Sequence, residues 1–396
     1  MTPKKSKYDQ LFLEISNILD NSKKAIEKTI NNIMVVTYWQ IGQYIVEHEQ
    51  GGNKRAEYGS QFLKQLSSDL TKLYGKGYSY RNLKLIRKFY NTFPMLEFPS
   101  LINQKQKGQP PVALFKNNQK QKGQPPVALF EKAEKSMVSK LLSEKMLTSI
   151  PKLNWTHFVR LLSIKDEDER HFYLIETAEN SWSKRELDRQ INSALYDRLA
   201  LNKSKEDIKD LSISGQTITK NQDILKDPLV LEFLNLNEQS KYSENDLETA
   251  LIDNLGDFLL ELGKGFSFVA RQKRITSGAD HYYIDLVFYN RLLSSFILID
   301  LKIGKLTHKD IGQMQMYVNY FDREIKTNKE NPTIGIILCK ENDEFVVEYT
   351  LPKDNEQIFS KEYKLYLPKK EDLLQILEEE NSNYKVANST HKTNKN

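Results

Sequence analysis

Two stretches separated by four residues decide how this chain folds: HYYIDLVFYN at residues 281–290 and SFILIDLKIGK at residues 295–305. Both are dominated by β-branched and aromatic residues, the composition of core strands. Each carries a carboxylate in its most apolar part, Asp285 in the first and Asp300 in the second, and Lys302 follows two residues after Asp300. An ionised carboxylate in a core strand is costly unless something pairs with it. Side chains two apart on a strand share a face, so Asp300 and Lys302 point the same way, and Asp285 reaches the same edge from the neighbouring strand. Three charged groups on two adjacent strands mark a candidate site.

Working outward, FSFVARQKRI (266–275) supplies a further strand, separated from the next by turn residues at Ser277-Gly278, so the three read as a meander. Upstream, residues 227–262 predict a short helix and then a long one from about Ser243 to Leu262, stopped by Gly263 and Gly265. Downstream come a helix from about Thr307 to Phe321, the strand TIGIILCK (333–340), then FVVEYTL (345–351), and YKLYLP (363–368) leading to a terminal helix EDLLQILEEE (371–380). The order helix–β–β–β–helix–β is a mixed α/β pattern. The polar tail from residue 381 is expected to be disordered.

The first half of the chain is helical in pattern. Residues 8–49 show apolar spacings of three and four. A helix from about Ser60 to Tyr74, a turn at Gly75–Gly77 and a helix from about Ser79 to Phe93, with Ser79 as N-cap, give a helix-turn-helix outline. Between Gly52 and Tyr90 nine Lys or Arg face only Glu57 and Asp69, a local excess of +7 against +5 for the whole chain. Lys76 lies in the turn, and Arg81, Lys84 and Lys88 share a helix face with Arg87 beside them. Leu83, Ile86 and Tyr90 line another face. A basic face of this kind suits phosphate contacts, and it equally fits a solvated face of a bundle. NQKQKGQPPVALF occurs twice, starting at Asn103 and Asn118, which reads as a tandem duplication in a flexible surface loop. From Glu131 the helical pattern resumes, with Trp155 and Trp182 as packing anchors and a capping-box pattern at Ser183 and Glu186. Residues 200–228 are polar and aperiodic, and a domain boundary is placed there.

Composition narrows the classes. In 396 residues, 39% are hydrophobic and 28% charged, enough apolar content for cores across two domains. The single cysteine, Cys339, excludes an internal disulfide framework and fits a small buried side chain in a reducing compartment. A basic N-terminus with no apolar h-region behind it, and no run long enough to span a bilayer, lead to the expectation of a cytoplasmic protein away from membranes. The six histidines show no zinc-ligand spacing, and no P-loop or dinucleotide fingerprint is present.

Two carboxylates from different strands, with a backbone carbonyl between Asp300 and Lys302, make a hard-oxygen site suited to Mg2+ (or Mn2+). A cation there would lower the pKa of a bound water and stabilise charge on a phosphoryl oxygen. Lys302 would orient that water or stabilise developing negative charge. Glu248 or Glu261 would add a ligand if either faces the sheet. The same three charges also fit an ordinary ion pair on a sheet face.

At these residues the sequence resembles the PD-(D/E)xK nuclease superfamily, in its YhcG-like branch, from about Ser243 to Tyr349. The resemblance is carried by ELGKGFSFVARQ (Glu261–Gln272), YYIDLVFY (Tyr282–Tyr289), LIDLKIGK (Leu298–Lys305), IGQMQMYV (Ile311–Val318) and NPTIGIILCK (Asn331–Lys340). It implies Asp285 as the first acidic residue, Asp300 at the D/E position, Lys302 as the lysine, and Gln313 as a glutamine that recurs near the active site. Many relatives carry Glu where this chain has Asp300. Glu248 is the preferred match for the helix carboxylate. The basic region and WSKRELDRQI (182–191) resemble the N-terminal domain that accompanies this nuclease.

The implied fold class is α + α/β: a mostly helical, winged-helix-like DNA-binding domain at 1–200 holding the duplicated insert 103–130, a linker at 201–228, a restriction-endonuclease-like α/β domain with a central mixed sheet at 229–380, and a tail at 381–396. The implied function is a Mg2+-dependent DNA endonuclease in DNA processing or genome defence, with DNA as its partner and a homodimer or restriction or defence-system subunits as the implied assembly. The competing reading is a non-cleaving DNA-binding or assembly subunit of such a complex. An RNA nuclease is a third, because the triad does not read the sugar.

Overall fold

The structure, a computed structural model, describes residues 30–49, 56–93, 152–200, 205–236, 241–277 and 279–368, with Ser16 and Leu19. The duplicated segment, the helix expected at 371–380, the tail, and the cations Lys54 and Arg55 lie outside the described residues. The chain divides into two units. One runs to Leu187 and takes in Ser212–Gly215, and the other comprises Asp188–Leu211 and all residues from Gln216 onward. Residues 188–200 therefore fall with the second unit, whereas the sequence reading carries the helical domain on to residue 200.

In the first unit residues 30–49 (α1), Ala56–Tyr74 (α2), Tyr80–Thr92 (α3), Trp155–Leu161 (α4) and Glu167–Glu179 (α5) are helical. The two-helix outline is present. Gly75 ends α2 at φ 88°, a left-handed value that glycine adopts without steric cost. A 3₁₀ turn, Lys76–Tyr78, follows, and the Ser79 side chain accepts from Asn82 N to cap α3. Leu83, Ile86 and Phe89 form the buried face of α3. Leu83 and Ile86 join Tyr38 and Ile45 of α1 and Leu63 of α2 in one core. The helices meet closely at Gly42, where an added Cβ would lie 2.6 Å from the Ile86 carbonyl oxygen. No strand occurs among the described residues of this unit, so the wing of a winged helix is not among them.

The second unit is built on one six-stranded sheet. Its strands are Leu229–Val230 (β1), Phe266–Ser277 (β2), Asp280–Asn290 (β3), Ser295–Lys305 (β4), Ile334–Glu341 (β5) and Ile358–Lys364 (β6), in the order β1-β6-β5-β4-β3-β2. The expected meander β2–β3–β4 is antiparallel, and β4, β5, β6 and β1 are parallel. Lys184–Asn192 (α6), Leu195–Ala200 (α7) and Lys205–Ser214 (α8) precede the sheet, with α6 and α8 crossing the boundary between units. Glu244–Asp253 (α9), Leu255–Leu262 (α10), His308–Tyr320 (α11) and Glu344–Thr350 (α12) complete the unit.

Strand alternation divides the core into two layers. Ile297, Ile299 and Leu301 of β4 and Ile336 and Leu338 of β5 pack with Leu247, Leu251, Phe258 and Leu262 of α9 and α10. Leu298, Ile337 and Cys339 pack on the opposite face with Ile311, Met314, Tyr317 and Val318 of α11. Central strands covered on both faces explain the nearly continuous apolar runs. At the open edge, exposed Arg271, Lys273 and Arg274 of β2 discourage pairing with another strand.

Two local expectations are corrected, and one segment left unassigned in the sequence takes a helix. The long helix from Ser243 to Leu262 is two helices. Asn254, at φ −111° and ψ 33°, interrupts it, and its side chain bonds back to the Ala250 carbonyl, as asparagine does when it competes with a helix backbone. The short helix expected after Asp227 is instead the strand β1 and a 3₁₀ turn, Glu232–Leu234, because Leu229 and Val230 pair with Tyr363 and Lys364 of β6. FVVEYTL lies mostly in helix α12, capped by Asp343 through Val346 N.

Glu261 ties the upstream segment to this fold. It is fully buried, with Arg198 Nη1 2.6 Å from Oε1 and Arg189 Nη2 3.2 Å from Oε2. Val230 N donates to Oε1 at 3.0 Å, and Lys226 Nζ donates to the Glu261 carbonyl. Burial alone would raise the pKa of this carboxyl, but Arg198, Lys226 and Arg189 outweigh it and hold it at about 2, below the ordinary 4.5. A depressed folded-state value means that the stabilisation is complete above about pH 4.5 and is lost as pH falls toward about 2. Acid titration of unfolding should show a loss on the order of 3 kcal/mol across that window in the wild type, and a flatter profile in Glu261→Gln. Arg198→Ala leaves a buried carboxylate short of its closest partner and should destabilise this unit by about 3–5 kcal/mol in chemical denaturation at neutral pH.

Candidate active site

The site lies where the sheet forks. Pairing between β3 and β4 ends at Leu286↔Ile299. One further step in that register would set Asp285 directly across from Asp300. Like charges directly opposite in a ladder are destabilising, and here the strands part. β3 continues with β2 as far as Asp280↔Ser277, while β4 continues with β5 through Asp300↔Ile337 and Lys302↔Cys339. Side chains take over backbone groups at the fork. Leu301 N donates to Asp285 Oδ2 at 2.8 Å, and Tyr317 Oη of α11 donates to the Tyr283 carbonyl at 2.9 Å. Face alternation also breaks here, for Leu286 packs on the α9 and α10 side while Ile284 packs on the α11 side.

Asp300 is 2% exposed, and its Oδ2 lies 2.8 Å from Lys302 Nζ. The Lys302 ammonium is thus the direct counter-charge of this buried oxygen. Lys302 Nζ also lies 3.7 Å from Glu244 Oε2 at the start of α9. Burial pushes the Asp285 carboxyl up to about 7, with the Asp300 charge adding to the shift. Burial also raises Asp300, although Lys302 opposes it. For Lys302 burial works downward, but Asp300, Glu244 and Asp285 together leave its pKa raised. The three groups thus hold one cation between two carboxylates in a poorly solvated fork.

Of the two helix carboxylates, Glu248 belongs to this neighbourhood and Glu261 to the ion cluster with Arg198. Glu248 is 3% exposed. Its Oε1 accepts from Arg271 Nε at 2.5 Å, and its Oε2 accepts from Gln272 Nε2 at 2.6 Å. The same Gln272 nitrogen donates to Asp285 Oδ1 at 3.0 Å. Gln313 enters through Tyr317, donating from Nε2 to Oη at 2.5 Å. The fork therefore gathers Asp285, Asp300 and Lys302 directly, Glu248 through Gln272, and Gln313 through Tyr317. The sequence reading missed the parts of Gln272, Tyr317 and Glu244. Tyr317 had a signal, since it lies one helical turn after Gln313 on the same face.

Among the described residues no three His, Cys, Asp or Glu side chains converge on a closed metal cage. Two hard-oxygen carboxylates on neighbouring strands, one register step beyond the last β3–β4 pair, instead fit an ion that keeps several waters, as Mg2+ does.

The first unit holds the other candidate cations. Lys76, Arg81, Lys84 and Lys88 are exposed, with Lys84 Nζ 5.6 Å from the Tyr80 ring centre. Lys88 Nζ donates to the Leu162 carbonyl at 2.5 Å, and Arg87 Nη1 pairs with Glu49 Oε1 at 2.8 Å. Arg87 and Lys88 thus carry structural contacts of their own.

Removing the hydroxyl that satisfies Tyr283 should loosen the fork. Tyr317→Phe is expected to cost about 1–2 kcal/mol and to speed amide exchange around Tyr283 and Leu301 while leaving β5 protected, as read by hydrogen-exchange mass spectrometry.

The chain matches the profile of the YhcG PDDEXK nuclease domain over residues 222–378, and that of the DUF1016 N-terminal domain over residues 14–107 and 130–198. It is 38% identical over 369 residues to the "Putative nuclease YhcG" of Escherichia coli (strain K12), a match covering 91% of each chain. Among solved structures it is similar to a repair endonuclease from Pyrococcus abyssi at 18% identity and TM-score 0.23, covering 33% of this chain and 50% of that one. EndoMS in complex with double-stranded DNA gives 14% identity and TM-score 0.23, over 34% of this chain and 51% of that one. No helix among the described residues is long and apolar enough to cross a membrane. With the nuclease-domain match lying over the forked sheet and its three charges, this chain belongs to the YhcG family of PDDEXK nucleases.

Proposed function

We propose that the chain is a divalent-cation-dependent endonuclease that hydrolyses phosphodiester bonds in DNA, with its site at Asp285, Asp300 and Lys302. The observation that carries this reading is the fork: two carboxylates one register step beyond the last β3–β4 pair, with Lys302 at 2.8 Å from the second. Asp285 and Asp300 would hold Mg2+ or Mn2+, which supplies a bound water of lowered pKa and stabilises charge on the phosphoryl group. Lys302, held by Asp300, keeps its ammonium directed at the fork, where it orients the attacking water or offsets charge on the phosphate. Asp285 is fixed by Leu301 N, so its carboxylate keeps one orientation as substrate enters. Gln313 steadies the fork by donating to the Tyr317 hydroxyl.

The cleavage test uses supercoiled, linear and branched DNA and RNA with Mg2+ or Mn2+. Wild type should cut DNA, and Asp285→Ala and Lys302→Ala should each lose at least about a hundredfold in rate while remaining folded at the assay temperature by circular dichroism, Lys302→Ala with a lowered midpoint because buried Asp300 loses its counter-charge. Equal rates in the variants would remove these residues from the chemistry. DNA binding without turnover on any substrate would favour a non-cleaving subunit of a restriction or defence complex.

The raised Asp285 carboxyl gives a pH dependence. Below about 7 the protonated form dominates and a cation must displace the proton. Apparent Mn2+ affinity should therefore rise up to about tenfold per pH unit below 7 and level off above it. Calorimetry in buffers of different ionisation enthalpy should detect more proton release on binding at pH 6 than at pH 8.

DNA contact by the first unit rests on Lys76, Arg81 and Lys84. Arg81→Glu and Lys84→Glu should each weaken binding across all sequences and shallow the log–log salt slope by about one, measured by fluorescence anisotropy. Arg87 and Lys88 are proposed as secondary contacts, and their replacement should lower thermal stability as well, because both already hold partners.

A further inference from the structure

Gln272 has an unusual backbone. Its φ of 48° lies in the left-handed region, although it sits inside strand β2 and not at a turn. The ladder passes over it: Arg271 pairs with Leu286 and Lys273 with Ile284, while Gln272, opposite Asp285, forms no pair. A left-handed backbone favours glycine, asparagine and aspartate. The conformation alone therefore does not account for a glutamine here.

The side chain does. One nitrogen, Nε2, donates to Glu248 Oε2 at 2.6 Å and to Asp285 Oδ1 at 3.0 Å. Ionised carboxylates only accept, so the amide must present its NH2 to both. The far oxygen of Glu248 is taken by Arg271, which also donates to Thr249 Oγ1 at 3.1 Å, and the far oxygen of Asp285 is taken by Leu301 N. Each carboxylate is thus pinned at both oxygens, and Gln272 is the joint between them.

We infer that Gln272 is a positioning residue for the cation site, setting the orientation of Asp285, and that Glu248 acts on the site through Gln272 and not as a ligand. The inference rests on the reading of Asp285 and Asp300 as the residues that hold the ion. Glu248 is buried and doubly bonded, so it serves as the anchor against which the amide aligns Asp285. The left-handed kink brings the amide within reach of both. Hydrogen-bond partners that orient a ligating carboxylate commonly change metal affinity by about 10–100-fold when removed.

The test titrates Mn2+ alone into the full-length chain by calorimetry at pH 8, with thermal midpoints measured in parallel. Gln272→Gly keeps the backbone conformation and removes the amide, whereas Gln272→Ala also strains the backbone. Both should weaken Mn2+ binding about tenfold or more, Asp285→Asn should abolish it, and Glu248→Gln should weaken it less than about tenfold, because an outer partner costs less than a ligand. If the role were only conformational, Gln272→Gly would bind within twofold of wild type and Gln272→Ala alone would suffer, which would overturn the inference. Loss in Glu248→Gln as deep as in Asp285→Asn would overturn it too, making Glu248 a ligand. Wild-type protein that binds no Mn2+ would remove the cation reading along with the inference. Binding that Asp285→Asn abolishes and Gln272→Gly leaves intact would remove the inference alone.

Discussion

Repulsion between Asp285 and Asp300 is the constraint on which the rest of the second unit depends. The β3–β4 register leads these carboxylates toward directly opposed positions in the middle of a sheet covered on both faces. An apolar sheet cannot close over two facing negative charges in low dielectric. The ladder stops one step short, and the two strands follow their other neighbours. What would be a defect elsewhere becomes a fork that gathers charged side chains. It is held open at defined points, because Asp285 occupies the freed Leu301 N–H and Tyr317 the Tyr283 carbonyl. Parallel pairing of β4 with β5 and β5 with β6 keeps the β4 arm rigid.

The same unit shows how surroundings sort carboxylates into structure and chemistry. Glu261 and Asp285 are both removed from water, and burial pushes both toward the neutral form. Glu261 meets Arg198, Arg189 and Lys226, and its carboxyl is drawn down to about 2. Asp285 meets another carboxylate and only one lysine, which Asp300 already holds, and it is left near 7. A compensated charge of the first kind locks a fold, here by binding α6 and α7 to the sheet. An under-compensated one retains free energy that a bound cation can release, the arrangement expected where titratable groups serve a site.

This contrast bears on what the sequence could reveal. Asp285, Asp300 and Lys302 were legible as a group because a charge inside a β-branched run needs a partner and strand periodicity alone puts residues 300 and 302 on one face, although an ordinary ion pair met the same pattern. The meander, α11 and the helix-turn-helix outline were legible for the same reason, since each rests on local pattern and turn chemistry. Glu248 and Glu261 were not separated by pattern, only by the resemblance that preferred Glu248, because both lie on amphipathic helical segments and their surroundings are set by Arg271 and Arg198, residues elsewhere in the chain. Gln272 carries no local signal: its partners lie 13 and 24 residues away, and nothing in ARQKR announces a left-handed residue. The strand β1 was hidden because two residues acquire strand geometry only by pairing with β6, more than a hundred residues later.

Asp300 in place of the longer glutamate fits this fork in particular. A short side chain keeps its carboxylate close to β4, where Lys302, two residues along on the same face, reaches Oδ2 at 2.8 Å. The lysine is thereby committed to Asp300 and only partly compensates Asp285. One more methylene at residue 300 would change the reach at which Lys302 meets the carboxylate. The carboxylates stand on separate strands, one aligned by Gln272 and Leu301 N, the other by Lys302. Lys302 supplies positive charge on the β4 side only, which is why the cation proposed for the fork would sit toward Asp285.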